Sequence, residues 1–332
     1  MKNYFILPLF ILFLTISFSQ KKKKSNNNIT SSQISDLEFR SVGPAFMSGR
    51  IADIAINPHN ENEWYVAVGS GGVWKTVNAG TTWEPLTDNQ SFYSTGSITI
   101  DPNNTSTIWL GTGENVGGRH VGIGKGVFVT KDGGKTWKNK GLNNSEHISK
   151  IIVNKKDSNI VFVASQGPLW SSGGERGLYK SIDGGSNWNL VLSVNEWTGV
   201  TDVVVDPRDE NIMYAATWQR HRNVAAYMGG GVGTKLFKST DGGDSWRQLK
   251  TGLPTGKLGK IGLAISEINP DVLYAAIELD PLCAAGLWLL GARVHQLGRH
   301  LHRFGDCRRR HHQRTADLRG VLQRRQGQVL AI

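Results

Sequence analysis

Cysteine is nearly absent from this 332-residue chain, and both examples, Cys283 and Cys307, lie near its C-terminus. The first 280 residues therefore offer neither a disulfide nor a cysteine-ligated metal site. Histidine gives no substitute, because His120, His147 and His221 stand far apart, with no HxH or HxxxH spacing. We expect no metal and no cofactor.

Long apolar runs are equally scarce. The longest extends from Phe5 to Ile16, follows Lys2 and precedes small residues, which is typical of a signal peptide at residues 1–19 cleaved before Gln20. An uncleaved membrane anchor is the alternative. Residues 20–36 predict a polar linker. We expect a secreted, periplasmic or cell-surface protein without membrane attachment after signal cleavage.

Residues 25–280 lack the net positive charge that a nucleic-acid-binding surface would need. The formal net charge is +11, but residues 281–332 hold ten arginines against two aspartates, and five lysines lie in the first 24 residues. Residues 25–280 therefore carry a net charge of about −2. We expect no nucleic-acid partner.

The composition changes abruptly at about residue 281, where lysine disappears and arginine and histidine accumulate. One interpretation is a genuine basic tail for an anionic surface. The other, which the sudden change within a repeat favours, is a reading-frame error, so that residues 281–332 form no domain.

Glycine and tryptophan are abundant, with 40 and 11 copies, and they recur in a pattern. Four segments read S/T-x-D/N-x-G-x-x-W, and their tryptophans are 54, 51 and 58 residues apart. Each predicts a tight turn in which the acid or amide binds its own backbone, glycine takes a positive φ, and tryptophan packs between sheets. This is the Asp-box repeat, and its structural residues are Asn78, Trp83, Asp132, Trp137, Asp183, Trp188, Asp241 and Trp246.

Hairpin signals lie between these boxes, such as Ile98 to Pro102 followed by Ile108 to Leu110. Each repeat of about 50 residues supplies four antiparallel strands. The chain is therefore predicted to be an all-β propeller over residues 37–280, with four four-stranded blades, the first two strands of a fifth and an incomplete ring. We expect unpaired edges at both ends, and hence poor solubility or domain swapping.

Propeller geometry places the boxes on one face and the loops between the second and third strands of each blade on the other. We call this second face the insert face, because blades two to four carry insertions there: 113–120, 166–176 and 218–222. Its planar and hydrogen-bonding side chains suit a glycan or peptide ligand. The predicted ligand-binding residues are Arg50, Arg119, His120, Gln166, Trp170, Arg176, Trp197, Trp218, Arg220, His221 and Arg222.

Three interpretations of the insert face remain open. Glu114 and Glu196 could act as the acid and base of a glycoside hydrolase. Alternatively, the face binds a glycan or peptide without catalysis. In the third interpretation the insertions pack against missing C-terminal blades or domains. Two carboxylates about 5–10 Å apart would favour hydrolysis, whereas acids tied to arginine would favour binding.

Several segments resemble a known family: Phe39 to Arg50, Gly113 to His120, and Thr217 to Arg222. They are similar to large secreted Asp-box propeller proteins labelled glycosyl hydrolases or sortilin-like. The resemblance implies a larger propeller that binds or hydrolyses extracellular glycans, or a sortilin-like module that binds protein or peptide. The catalytic aspartate that xyloglucanases carry in their first blade is replaced here by Gly69, so enzyme activity is left open. A sialidase-type arginine triad is not evident among the arginines of this face.

Overall fold

Four-stranded antiparallel sheets follow one another along the chain in a computed structural model. The structure describes residues 49–279 and the strand backbone at Gly286–Gly291, all of which belong to a compact unit that begins at Ser48. The predicted signal peptide, linker and most of the arginine-rich tail lie outside the described residues. So do Cys283 and Cys307.

Five of the six sheets in the described residues are propeller blades, and the strands of each blade pair in chain order. Blade one contains β1 (Ile51–Asn57), β2 (Asn60–Val68), β3 (Gly72–Thr76) and β4 (Glu84–Pro85). Blade two contains β5 (Thr95–Asp101), β6 (Asn104–Thr112), β7 (Val127–Thr130) and β8 (Lys138–Asn139). Blade three contains β9 (Ile148–Val153), β10 (Val161–Ser165), β11 (Gly177–Ser181) and β12 (Asn189–Leu192).

Blade four interrupts this pattern with a small hairpin. It contains β13 (Thr198–Val205), β14 (Met213–Gln219), β17 (Leu236–Ser239) and β18 (Arg247–Leu249), and the hairpin pairs β15 (His221–Arg222) with β16 (Tyr227–Met228). Blade five contains β19 (Leu258–Ile265), β20 (Val272–Leu279) and β21 (Gly286–Gly291). The predicted all-β propeller is confirmed.

The sequence predicted only two strands for blade five, whereas the structure has three. The fold pairs β21 with β20, from Gly291 opposite Val272 to Gly286 opposite Ile277. This strand lies past residue 280, where the sequence pattern predicted that the blades end. Backbone pairing along a free strand edge needs no Asp-box, so the missing fifth box did not exclude a third strand.

The Asp-box turns share one hydrogen-bond pattern, which blade three illustrates. The hydroxyl of Ser181 donates to Asp183 at 2.8 Å and accepts from the backbone N–H of Gly185 at 2.8 Å. Asp183 then accepts from the backbone N–H of Asn187 at 2.9 Å. The matching glycine of every box has a positive φ, as the sequence predicted: 87° at Gly80, 100° at Gly134, 73° at Gly185 and 81° at Gly243.

Three of the four box tryptophans fill seams between blades, whereas Trp83 is 41% exposed and packs on Trp64 of its own blade. Trp137 of blade two lies edge-on to Phe92 at 6.4 Å between ring centroids, and Trp188 of blade three meets Trp109 of blade two at 6.5 Å. Trp246 of blade four packs against the cluster around Phe162 of blade three. Because the core is a series of such seams, each blade depends on its neighbour for burial.

We predict that Ser181→Ala destabilises the propeller, because it leaves the buried N–H of Gly185 without an acceptor. The free energy of unfolding should fall by about 1–3 kcal/mol. Thermal unfolding followed by circular dichroism measures this. The exposed Ser193→Ala is the matched control and should unfold like the wild type; equal melting temperatures for both variants would contradict the role given to the turn.

Candidate functional site

Glu114 anchors the second-blade insertion and is itself almost inaccessible. Its side chain is 2% exposed and pairs with Arg50 at 2.5 Å. Its carboxylate also accepts from the hydroxyl of Ser70 at 3.0 Å and the backbone N–H of Gly122 at 3.2 Å. Both oxygens are therefore occupied by protein donors, and the carboxylate holds the loop in place.

Gly69 explains how this carboxylate fits. A Cβ at position 69 would lie only 2.7 Å from Oε1 of Glu114. The space that a side chain at position 69 would need is thus filled by the carboxylate of Glu114, which enters from the neighbouring blade. A side chain at position 69 would require the Glu114 carboxylate to move.

The loop that follows Glu114 crosses to blades four and five, where cations hold its backbone. Arg220 donates to the carbonyl of Val116 at 2.7 Å and Arg222 to that of Gly117 at 3.0 Å. Lys260 of blade five donates to the carbonyl of Asn115 at 2.6 Å. Three successive carbonyls are thereby fixed, which is how protein sites commonly hold an extended peptide segment.

Trp218 and Tyr227 complete this cluster. The guanidinium carbon of Arg220 lies 5.2 Å and the ammonium of Lys260 5.4 Å from the Trp218 ring centroid. The guanidinium of Arg222 lies 4.4 Å from the ring of Tyr227. Burial lowers the pKa of Lys260 to about 8 and that of Arg220 to about 9, because desolvation disfavours their charged forms.

The third-blade insertion is folded around Arg176. This guanidinium donates to the carbonyls of Gly173 at 2.7 Å, Gln166 at 2.9 Å and Ser171 at 2.6 Å, and also to that of Pro168. Burial lowers the pKa of Arg176 to about 10. Its donors are directed at its own loop, so its role there is to shape the insertion.

Four of the predicted ligand-binding residues are buried. Arg220 is 0% exposed, Gln166 1%, Trp218 3% and Arg176 5%. Gln166 donates to Thr201, and the indole N–H of Trp218 donates to the carbonyl of Gly229. These side chains are buried and hydrogen-bonded within the protein, and they hold the loops of the insert face in place.

The remaining predicted residues lie at the surface and several adjoin one another. Trp197 packs against His221 with ring centroids 4.3 Å apart and the ring planes tilted by 55°, and Trp170 is 45% exposed. The backbone N–H of Arg222 donates to the carbonyl of Leu169, next to Trp170. Arg119 and His120 are exposed on the second-blade insertion, and the Arg50 side chain is 55% exposed beside Glu114.

Glu196 is exposed, and its backbone carbonyl accepts from Gly173. The two predicted catalytic carboxylates thus differ: Glu196 is free in solvent, whereas Glu114 is buried and tied to an arginine. This is the arrangement that the sequence argument associated with binding.

The sequence reasoning did not select Lys260 or Tyr227 as site residues. Lys260 lies on a strand of blade five, with no insertion to mark it, and its role follows from its contacts with Asn115 and the Trp218 ring. Tyr227 lies in the segment after the fourth-blade insertion, where an aromatic residue shortly before three glycines was a usable signal. Among the described residues, no group of histidine and acidic side chains could hold a metal ion. None of them forms a helix capable of spanning a bilayer.

His147 lies beneath this face and is 1% exposed. Burial, with a further contribution from the positive charge of Arg220, lowers its pKa to about 3 from an ordinary value of 6.5. The folded state therefore holds His147 neutral where the unfolded chain would protonate it. Stability from this residue is fully present above pH 6.5 and is lost as pH falls toward 3.

We predict that the wild type loses up to about 1.4 kcal/mol of unfolding free energy per pH unit below pH 6.5 through His147. His147→Gln should flatten the slope between pH 6.5 and 5, a window above most carboxyl titrations. Urea unfolding at several pH values measures this. His120→Gln, at an exposed histidine, should keep the wild-type slope; a slope unchanged in His147→Gln would contradict the assignment.

We also predict that Arg220→Met releases the second-blade insertion, because the carbonyl of Val116 loses its donor, as does that of Gly167 in the third-blade insertion. Amide hydrogen exchange in residues 115–118 should accelerate by about tenfold or more. Arg247→Met, at an exposed arginine on β18, is the matched control. Unchanged protection of residues 115–118 in Arg220→Met would show that the cation does not hold the loop.

Comparison with known proteins gives three kinds of match. A family model for Sortilin-Vps10, described as "Sortilin, neurotensin receptor 3", matches residues 125–274, less than half of the chain. A probable oligoxyloglucan-reducing end-specific xyloglucanase of Neosartorya fischeri is 26% identical over 232 residues, 64% of this chain and 25% of that protein. Xyloglucanase Xgh74A of Acetivibrio thermocellus is 24% identical over 273 residues, 69% of this chain and 30% of that protein.

Solved structures agree on the fold. The GH74 xyloglucanase from Xanthomonas campestris has a TM-score of 0.52 at 18% identity, with 74% of this chain and 37% of that chain covered. A GH74 enzyme of Niastella koreensis has a TM-score of 0.51 at 20% identity, with 71% and 35% covered. The chain spans about a quarter to a third of the curated relatives named above. These similarities establish a propeller architecture.

Proposed function

We propose that this propeller binds an extracellular glycan on its insert face and does not cleave it through Glu114 and Glu196. The observation that carries the proposal is a group of aromatic rings, the exposed Trp170 and the half-buried, tilted pair of Trp197 and His221, on loops held by buried arginines. Flat aromatic rings beside hydrogen-bonding groups suit the apolar faces and hydroxyls of sugar rings.

Xyloglucanases among the relatives favour a polysaccharide of that type as ligand. The chain differs from a xyloglucanase at the position of the catalytic aspartate, where it carries Gly69. The side chain of Glu114 fills the space next to Gly69. General acid catalysis requires a carboxyl that reaches the glycosidic oxygen. Glu114 is enclosed by Arg50, Ser70 and Gly122 instead.

A second candidate function is sortilin-like binding of a peptide. The family match over residues 125–274 supports this candidate. The same aromatic surface would then accept apolar peptide side chains. The predicted signal peptide is consistent with either ligand, because both would be met outside the cell.

We predict that the double variant Trp170→Ala/Trp197→Ala weakens binding of xyloglucan oligosaccharides by about tenfold or more, because each stacked ring contributes on the order of 1 kcal/mol. Isothermal titration calorimetry measures the affinity. Ile182→Ala, 65% exposed at the tip of the third Asp-box, is the control on the opposite face and should bind normally.

An assay for newly formed reducing ends separates binding from hydrolysis. We expect binding of xyloglucan without release of reducing ends. Cleavage that Glu114→Gln and Glu196→Gln both abolish would overturn the non-catalytic proposal. Binding of peptides but not of glycans would favour the sortilin-like alternative.

A further inference from the structure

One seam of the propeller departs from a pattern that the other blades share. In blades one, three and four, an aromatic side chain of the second strand lies opposite a lysine of the third strand: Tyr65 and Lys75, Phe162 and Lys180, Tyr214 and Lys238. The ammonium groups of these lysines lie 5.0 to 5.5 Å from the ring centroids. In blade two the aromatic residue is Trp109, and Val129 lies opposite it. The seam between blades two and three therefore has no lysine at this position.

The seam between blades three and four shows what such a lysine does. Lys180 donates to the carbonyl of Gly242 at 2.9 Å and to the carboxylate of Asp244 at 2.7 Å, both in the Asp-box turn of blade four. Asp244 directly follows the last glycine of its box, and Ser186 occupies the same place in the box of blade three. Val129 and Ser186 thus replace both members of this ion pair at the seam between blades two and three.

A cleft of about 180 Å³ lies at the seam where the ion pair is replaced. Its walls come from both blades, with Trp109, Val129, Lys131 and Lys140 from blade two and Asn159 and Gly184 from blade three. Lys131 and Gly184 belong to Asp-box turns, so the cleft lies on the face opposite the insert face. We call it the seam cleft.

Two lysines without an acidic partner give the seam cleft its charge. The ion pairs of the described residues include neither Lys131 nor Lys140. Burial lowers the pKa of Lys140, and the positive charges of Lys138 and Lys131 lower it further, although Asp183 acts in the opposite direction. The ammonium of Lys140 is therefore held among like charges, which an anion in the cleft would offset.

Trp109 adds a neutral donor. The residue is 3% exposed, and its indole N–H has no hydrogen-bond partner within the described part of the chain. The buried indole N–H of Trp218, by contrast, donates to the carbonyl of Gly229 at 2.7 Å. Asp101 also lines the cleft, but its carboxylate accepts from the backbone and side-chain N–H groups of Asn103 at 2.8 and 3.1 Å. The cleft thus combines two ammonium groups and an unpartnered N–H with a single carboxylate.

We propose that the seam cleft binds a small oxyanion, namely a sulfate, phosphate or carboxylate group, through Lys131, Lys140 and the indole N–H of Trp109. An oxyanion would supply here the negative charge that Asp244 supplies at the next seam. Hydrogen bonds between ammonium groups and an oxyanion are strong, and several oxygens on one ligand can accept from all three donors. This site is separate from the proposed glycan surface, because it lies on the opposite face.

Isothermal titration calorimetry on the full chain tests the site, with sodium sulfate and sodium glucuronate as probes at constant ionic strength in chloride. The wild type should bind one anion. Lys131→Met and Lys140→Met should each weaken binding by about tenfold or more, and Trp109→Phe by about threefold. Lys135→Met, at an exposed lysine of the same Asp-box turn but outside the cleft, is the matched control and should bind normally.

The double variant Val129→Lys/Ser186→Asp gives the sharpest comparison, because it reinstates the ion pair of the neighbouring seam. Its new side chains should occupy the cleft and abolish anion binding. The fold should tolerate a lysine at position 129, since three other blades carry one there, and circular dichroism checks this. General salt effects act on both proteins alike, so the difference between them reports the site.

The two probes distinguish a tetrahedral anion from the carboxylate of an acidic sugar, and binding of either supports the site. Three results would overturn the proposal. The wild type could bind neither probe. The folded variants Lys131→Met and Lys140→Met could bind as tightly as the wild type. The double variant could retain full affinity. Binding of xyloglucan oligosaccharides is measured separately on the insert face, so these results leave the proposed function unaffected.

Discussion

A four-stranded blade has two apolar faces and can bury neither of them alone. This constraint organises the described chain, because each of the first three seams joins an aromatic side chain of one blade to the aliphatic strand and box tryptophan of the next. The Asp-box turn serves this packing: the glycine approaches the preceding blade where a Cβ would collide with Trp109 or Phe162. The seams hold the strands in place. The ends of these strands in turn determine where each loop of the insert face begins and ends.

The insert face is built from buried cations and backbone carbonyls. Arg176 folds the third-blade insertion, while Arg220, Arg222 and Lys260 hold the second-blade insertion. Burying a charge is costly unless it is hydrogen-bonded, and the carbonyl oxygens supply those bonds. The buried cations use their hydrogen-bond donors within the protein. The loops that they hold carry the rings of Trp170 and Trp197. Such a surface is suited to recognition.

Much of the fold could be predicted from local sequence, because the Asp-box is a local motif. Thr76, Thr130, Ser181 and Ser239 each lie four residues before the glycine whose N–H they accept, so short-range spacing determines the turn. The third strand of blade five was missed because its partner is supplied by the edge of β20 and no box follows it. The site was less predictable. Whether an arginine on a loop faces solvent or folds back depends on contacts across about 50 to 100 residues, such as Arg220 with Gly167 and Val116.

The central claim is that the insert face recognises a glycan on aromatic rings while Glu114 remains a structural residue. A crystal structure with a bound xyloglucan oligosaccharide would test it most directly. We expect a sugar ring against Trp170 or the Trp197–His221 pair, with the Glu114 carboxylate still bound to Arg50. A glycosidic bond lying between Glu114 and Glu196, with Arg50 displaced, would contradict the account.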